Sequence, residues 1–397
     1  MSTSPDSAVF FPERFVAGGD ALAHQADGRI AFIRGGVPGD VVVARAERVG
    51  SDWSRFVVDE VRRPSPDRVV PPCQQRRDGC GGCDWQHVDP RLQLRSKVEI
   101  VRDAMRRTAN LPDADIREGE SVGHEGYRTT VRVIGDAQGV PSFRLERSHD
   151  LIGAHPCLVS HPLLHPILAS ARLTPGLEMV LRVSVASGEA TASWNPKQGD
   201  VSGLHDHVRT GPDARLTESV SGYSFRVSSR SFFQSGPEAA QLLVTSVGQL
   251  IPELEDADIV LDAYAGIGLF ALAATSEKSR LIVLESSPFA ISDAQVNLKS
   301  RISHIERVDV GRWRYQLERN VDVAIADPAR QGLRKKGVDA LASTRAPLVV
   351  LVSCDPVAMA RDTALLGGAG YRHDGTEVHD VFPHTHHVEC VTRFVLT

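Results

Sequence analysis

The spacing of hydrophobic residues changes several times along this chain. Up to about residue 61, short Val- and Ile-rich runs (GRIAFIRG, DVVVARAERVG, SRFVVDEVRR) alternate with Gly, Pro and Asp. That pattern predicts a small β-barrel, an architecture that often binds oligonucleotides. Pro64, Pro66, Pro71 and Pro72 then form a stiff connection into a cysteine-rich stretch. From residue 90 to about 110, Leu94, Val98, Val101 and Met105 recur at three- and four-residue spacing, which predicts a helix. Between residues 127 and about 227, strand-like stretches (YRTTVRVIG, PSFRLERS, MVLRVSVAS, YSFRVSS) are divided by turn residues and predict a β-rich middle region.

From residue 237 the rhythm changes to helices alternating with apolar strands. A helix is expected over about 237–250, and strands at IVLDAYA (259–265), RLIVLE (280–285), VDVAIAD (321–327) and APLVVLVS (346–353). Nearly continuous apolar strands separated by helices imply a parallel sheet covered on both faces. The expected architecture is α/β in three parts: a barrel at 1–64, a β-rich middle domain at 65–228, and a doubly wound, Rossmann-like domain at 229–397.

Composition narrows the class. The chain has 397 residues, 42% of them hydrophobic and 24% charged, enough to bury several cores. No run of 18 apolar residues exists, so a membrane span is not expected. The opening MSTSPDSAVFFPERF lacks the basic-then-apolar order of an export signal, so a cytoplasmic protein is expected. Net charge is −5, yet residues 62–107 hold eleven Lys or Arg against six Asp or Glu. Such a segment is either a phosphate-facing patch or a salt-bridged surface.

Six cysteines occur: Cys73, Cys80, Cys83, Cys157, Cys354 and Cys390. Three crowd into eleven residues, which points to a metal or iron–sulfur centre rather than disulfides.

The strand IVLDAYA runs into Gly266-Ile267-Gly268, where glycine lets the backbone turn tightly against a ligand. Glu285 ends the next strand, placed to accept hydrogen bonds from ribose hydroxyls. Both features suit NAD, and GIGLFA satisfies the dinucleotide pattern G-x-G-x-x-A; both equally suit S-adenosylmethionine. Asp327-Pro328-Ala329-Arg330 adds a carboxylate at a strand's carboxyl end, either facing a ligand cleft or capping the next element.

Cys354, at the tip of the last of these strands, is a candidate nucleophile. In FPHTHHVECV, an extended strand would put Thr385, His387 and Glu389 on one face and Cys390 on the other. Burial would raise the Glu389 pKa toward that of a useful proton acceptor. His384, His386 and His387 alternate between faces, so a metal role for them is not expected.

Together, CGGCDWQH, SFFQ, DAYAGIG, DPARQG, SCDPVAMARD and FPHTHHVE resemble, in content and order, the RNA 5-methyluridine methyltransferases. The N-terminal barrel resembles the TRAM domain that many members carry. The resemblance covers nearly the whole chain and implies methyl transfer from S-adenosylmethionine to C5 of a uridine. It gives Cys354 the role of adding to C6 and Glu389 that of removing the C5 proton. It implies that Gln234, Tyr264, Glu285 and Asp327, with Gly266 and Gly268 at the turn and Asp309 on the adenine side, bind the cofactor. It further implies that Cys73, Cys80, Cys83 and Cys157 hold a 4Fe-4S cluster, with zinc as the competing occupant. Ribosomal RNA is favoured over transfer RNA as partner, and a monomer is expected.

Three positions depart from the family's usual pattern: Ala329, Asp355 after the nucleophile, and Leu269 after the glycines. An ionised Asp355 would raise the neighbouring thiol's pKa. An NAD-dependent oxidoreductase would leave Cys354 and Glu389 idle. A non-catalytic RNA-binding protein would leave the cofactor positions idle as well.

Overall fold

A computed structural model describes residues 7–316 and 320–397. The first six residues, which open the stretch MSTSPDSAVFFPERF, lie outside the described residues. Strands between Ser7 and Arg63 form one six-stranded sheet around Phe10, Ile33, Val42 and Phe56. A second six-stranded sheet, drawn from residues 130–210, packs over the helix Leu164–Ser170.

The third sheet has eight strands: β1 (Ile116–Ser121), β2 (Ile259–Ala263), β3 (Arg280–Glu285), β4 (Ser303–Arg307), β5 (Val323–Ala326), β6 (Leu348–Ser353), β7 (Tyr371–Asp380) and β8 (Glu389–Leu396). Their order across the sheet is β4-β3-β2-β5-β6-β8-β7-β1. The β2–β3, β3–β4, β2–β5 and β5–β6 pairs are parallel, whereas β8 runs antiparallel to both β6 and β7. The chain winds outward from β2 on one side and then from β5 on the other. The crevice at the carboxyl ends of β2 and β5 is therefore the topological switch point, where open α/β sheets receive ligands.

Alternation along the strands covers both faces. Val260, Val283, Ile325 and Val350 face Leu243, Val247, Phe270 and Ala294 of helices on one side. Leu261, Leu284, Ala324 and Val349 face Val98, Val101, Leu341 and Met359 on the other.

Two pieces of the expected middle region belong to this sheet in space. The expected helix forms as Pro90–Ala104, capped by the Asp89 carboxylate and closed by a π-helical turn at Met105–Ala109. It packs on β7 and β1, and β1 pairs in parallel with the outer side of β7. The hairpin Arg215–Val220/Tyr223–Ser228 buries Leu216, Phe225 and Val227 in the core on the other side. Among the described residues, no helix is long and apolar enough to cross a membrane.

The basic stretch is largely self-neutralised. Arg68 pairs with Asp40, Arg76 with Glu146, Arg91 with Asp89, Arg102 with Glu99, and Arg106 and Arg107 with Asp103.

Candidate active site and four-cysteine cavity

The turn after β2 is built from residues that tolerate positive φ. Gly266 and Gly268 lie at φ 57° and 84°, and Tyr264 takes φ 63° despite its side chain. Glu285, at the end of β3, accepts hydrogen bonds from the N–H groups of Gly266 (3.0 Å), Ser286 (2.7 Å) and Ser287 (2.7 Å). Asp309 caps the next short helix by accepting from Gly311 N–H at 2.9 Å. Tyr264, Glu285, Asp309, Pro328 and Ala329 line one cavity of about 540 Å³, with Lys335 and Lys336 also on its wall. Gln234, Gly266, Gly268 and Asp327 are not on that wall.

Gln234 reaches the same end of the sheet from the opposite direction. Buried Asp293 accepts from Arg226, Ser228 and Ser231 at 2.6–2.8 Å, and Arg182 donates to the carbonyls of Ser228 and Ser231. These bonds fix the turn before Gln234, whose amide donates to Asp327 Oδ2 at 3.3 Å.

Cys354 and Glu389 meet through strand pairing. Ser353 of β6 is in register with Cys390 of β8. The residue after Ser353 and the residue before Cys390 are therefore neighbours at the carboxyl end of β6. Glu389 is 4% exposed. Burial, and then the Asp327 charge, push its carboxyl well above the usual range. Burial raises Asp327 to about 7, opposed by the Gln234 hydrogen bond. Burial also raises the Cys354 thiol to about 12, reinforced by the Glu389 and Asp327 charges and opposed by Arg330. Three acids thus converge where strand ends meet.

One expectation needs correction. Residues 381–388 are turns and bends, and the strand begins at Glu389. Thr385 and His387 therefore do not share a strand face with Glu389. Thr385 Oγ1 instead donates to the Phe382 carbonyl at 2.8 Å, and His387 Nδ1 lies 2.9 Å from Arg330 Nη2. Asp355 Oδ1 caps the helix Pro356–Gly368 by accepting from Val357 and Ala358 N–H, and Oδ2 lies 4.0 Å from Arg330; burial, Glu389 and Asp327 are the larger influences on the thiol. Leu269 and Ala329 sit, respectively, in the core and on the wall of the 540 Å³ cavity.

Cys73, Cys80, Cys83 and Cys157 line a separate cavity of about 200 Å³, shared with Arg76, Gln86, Arg128 and Ser160. Burial pushes the Cys83 thiol up to about 12 and raises Cys80 as well. Among the described residues, no group of three or more His, Cys, Asp or Glu side chains is arranged to hold a single metal ion.

The cysteine segment is tied directly to the turns before Glu389. Trp85 N–H donates to the His384 carbonyl at 2.9 Å, and Asp84 pairs with His386 Nδ1 at 2.5 Å. Lys97, wholly buried, holds Asp380 at 2.6 Å and also reaches the Phe382 carbonyl.

No protein-family model matches the chain. Curated relatives do. An uncharacterized RNA methyltransferase of Streptomyces avermitilis is 32% identical, with 94% of each chain covered. Another, from Streptomyces coelicolor, is 32% identical over 94% of this chain and 89% of its own length.

This chain belongs to the RNA methyltransferases.

The fold of the methyltransferase is also that of a solved protein. The Pyrococcus abyssi tRNA (uracil-54, C5)-methyltransferase, crystallised with S-adenosyl-L-homocysteine, matches with a TM-score of 0.74 at 22% identity, covering 97% of this chain and 100% of that one. The residues that sequence reasoning missed in the methyltransferase lie mainly beside those it found. Arg330, Asp84 and His386 lie inside motifs already singled out, but their contacts are with residues distant in sequence, which no local spacing marks. Asp262, at the heart of β2, is also newly conspicuous. It is fully buried, Oδ2 accepts from Ala271 N–H at 2.9 Å, and burial raises its pKa to about 8.

Proposed function

We propose that this RNA methyltransferase methylates C5 of a uridine through a covalent bond between Cys354 Sγ and C6 of the base. The observation that carries the reading is the β6–β8 register, which sets a thiol beside a buried carboxyl at the ligand-receiving end of the sheet. C5 of uracil is a poor nucleophile. Adding Cys354 to C6 makes C5 enolate-like and divides one hard step into easier ones. Arg330 favours the thiolate needed for attack. After methylation, Glu389 accepts the C5 proton, and the C6–S bond breaks with its electron pair returning to sulfur. The target base must leave its stack to reach both groups.

The cofactor residues fit S-adenosylmethionine. Carboxylates close two strand ends, a tight glycine turn stands between them, and the adjoining cavity of about 540 Å³ has room for a nucleoside. Tyr264, Glu285, Asp309, Gln234 and Asp327, with the Gly266 and Gly268 turn, would hold it. Its sulfonium supplies the methyl group. Cys73, Cys80, Cys83 and Cys157 fit a 4Fe-4S cluster, since four thiols face a volume larger than one ion.

The proposed division is a TRAM-like barrel at 1–64, a cluster-bearing part at 65–228 and a catalytic part at 229–397. A cleft of about 1100 Å³ lies where these parts meet. Arg34, Arg68, Arg76, Arg144 and Arg147 line it together with Asp20, Asp84, Glu146 and Asp150, and Thr385, His386 and His387 also lie on its wall. The guanidinium groups, ion-paired in the free protein, would offer donors to an RNA backbone laid in this cleft. The resemblance favours ribosomal RNA.

The test uses RNA labelled with tritium at uridine C5, taken from cells lacking this protein and separated into ribosomal and transfer fractions. Protein with S-adenosylmethionine should release tritium to water and leave 5-methyluridine in one fraction. Cys354→Ala should do neither. Methylation at a nitrogen or a ribose oxygen would overturn the reading.

A further inference from the structure

Ten buried side-chain nitrogen or oxygen atoms lack a hydrogen-bond partner among the described residues. Three of them, Gln86 Nε2, Arg128 Nε and Ser160 Oγ, belong to residues that line the 200 Å³ four-cysteine cavity. Buried polar groups are almost always satisfied. Three unsatisfied donors around one cavity therefore call for an occupant that accepts hydrogen bonds.

Two of the donors are held beside particular cysteines. The Gln86 carbonyl oxygen accepts from Cys73 N–H at 3.0 Å, and Gln86 N–H donates to the Cys83 carbonyl at 3.2 Å. The first bond assigns the two ends of the amide and leaves its NH₂ free. Ser160 N–H donates to the Cys157 carbonyl at 3.3 Å. Arg128 pairs with Ser160 as a parallel β-bridge, and its backbone N–H donates to the Val159 carbonyl at 2.9 Å, so both donors sit on one wall of the cavity. Gln86 and Ser160 are each 1% exposed, so water at the surface does not satisfy them.

We propose that Gln86, Arg128 and Ser160 donate hydrogen bonds to the sulfur atoms of an iron–sulfur cluster held by Cys73, Cys80, Cys83 and Cys157, and so set its reduction potential. This rests on the reading that the cavity holds such a cluster. A cluster bound by four thiolates is anionic and presents both thiolate and sulfide acceptors. Hydrogen bonds to sulfur stabilise the reduced state more than the oxidised one, because reduction adds negative charge. Removing a donor therefore lowers the potential and leaves a buried polar group unpaired.

The full chain, reconstituted anaerobically with iron and sulfide, tests this by redox titration followed through absorbance and electron paramagnetic resonance. Ser160→Ala should shift the midpoint to more negative values. Ser160→Thr, which keeps the hydroxyl, should restore it. Gln86→Glu keeps the acceptor for Cys73 N–H but removes the NH₂ donor and adds charge, so it should shift the midpoint further in the same direction. Both donor-removing variants should also lose iron to a chelator severalfold faster than wild type. Intact clusters with unchanged potentials in Ser160→Ala and Gln86→Glu would overturn the donor assignment. A wild-type chain that takes up one zinc and no sulfide would overturn the cluster reading beneath it.

Discussion

The ligand-free enzyme should hold its nucleophile in reserve, and the reactivity of Cys354 can be measured without knowing the RNA. Burial and two neighbouring carboxyls raise the thiol from an ordinary 9.0 to about 12. Three units correspond to about a thousandfold less thiolate at pH 8. A more basic thiolate is also a better nucleophile; with a Brønsted slope of about 0.4–0.5, the same three units return roughly twentyfold. The net expectation is alkylation by iodoacetamide on the order of 50-fold slower than for an unperturbed thiol. Restricted access would also slow the reaction, so the slope is the diagnostic quantity. Peptide-resolved mass spectrometry should show the Cys354 rate rising tenfold per pH unit from 7 to 10 with no plateau. Asp327, raised to about 7, is charged over most of that range. Asp327→Asn should therefore speed alkylation severalfold at pH 8.5. A plateau below pH 9, or no response to Asp327→Asn, would refute the electrostatic account of this site.

Lys97→Met would leave Asp380 buried and unpaired, which typically costs about 3–5 kcal/mol; urea denaturation should show that loss, and Lys97→Met/Asp380→Asn should recover much of it. Asp262 has a folded pKa of about 8 against an ordinary 3.8, so its contribution is full below about pH 4 and is lost as pH rises through about 8. Asp262→Asn should therefore gain stability relative to wild type between urea titrations at pH 5 and pH 8.5; an unchanged difference would contradict the burial argument. Gly332→Ala places a Cβ at φ 72° against the Asp362 carboxylate, which accepts from Leu333 N–H at 2.7 Å. Its melting temperature should fall by several degrees, whereas Gly367→Ala, with open space around it, should not lower it. Glu389→Gln should accumulate an RNA–protein adduct on denaturing gels, because addition at C6 survives while proton removal does not.

Most elements were legible because their signals are local. The helix Pro237–Leu250 and strand β3 match the periodicity reading residue for residue. Strand β2 ends two residues earlier than expected, where the chain turns toward the cleft, whereas β6 starts two residues later and β5 is shorter at both ends. The run before Glu389 misled for a different reason. Strand-like residues there are drawn into turns by bonds to Trp85, Asp84 and Gln93, all about 300 positions earlier.

Spacing along the chain determined which residues face a core, which end a strand, and which chemistry-bearing groups exist: a thiol after β6, a carboxyl before Cys390, four thiols upstream. That information is local, because side-chain direction repeats every two or three to four residues. Sheet order decided the rest. Placing β8 beside β6 joins Cys354 to Glu389, adding β1 to the far edge carries the helix Pro90–Ala104 onto the catalytic sheet, and folding residues 128–160 over residues 73–86 gathers the cysteines with their three unsatisfied donors. Such neighbours are set by long-range pairing and shared burial, which leave no periodic trace in the order of residues.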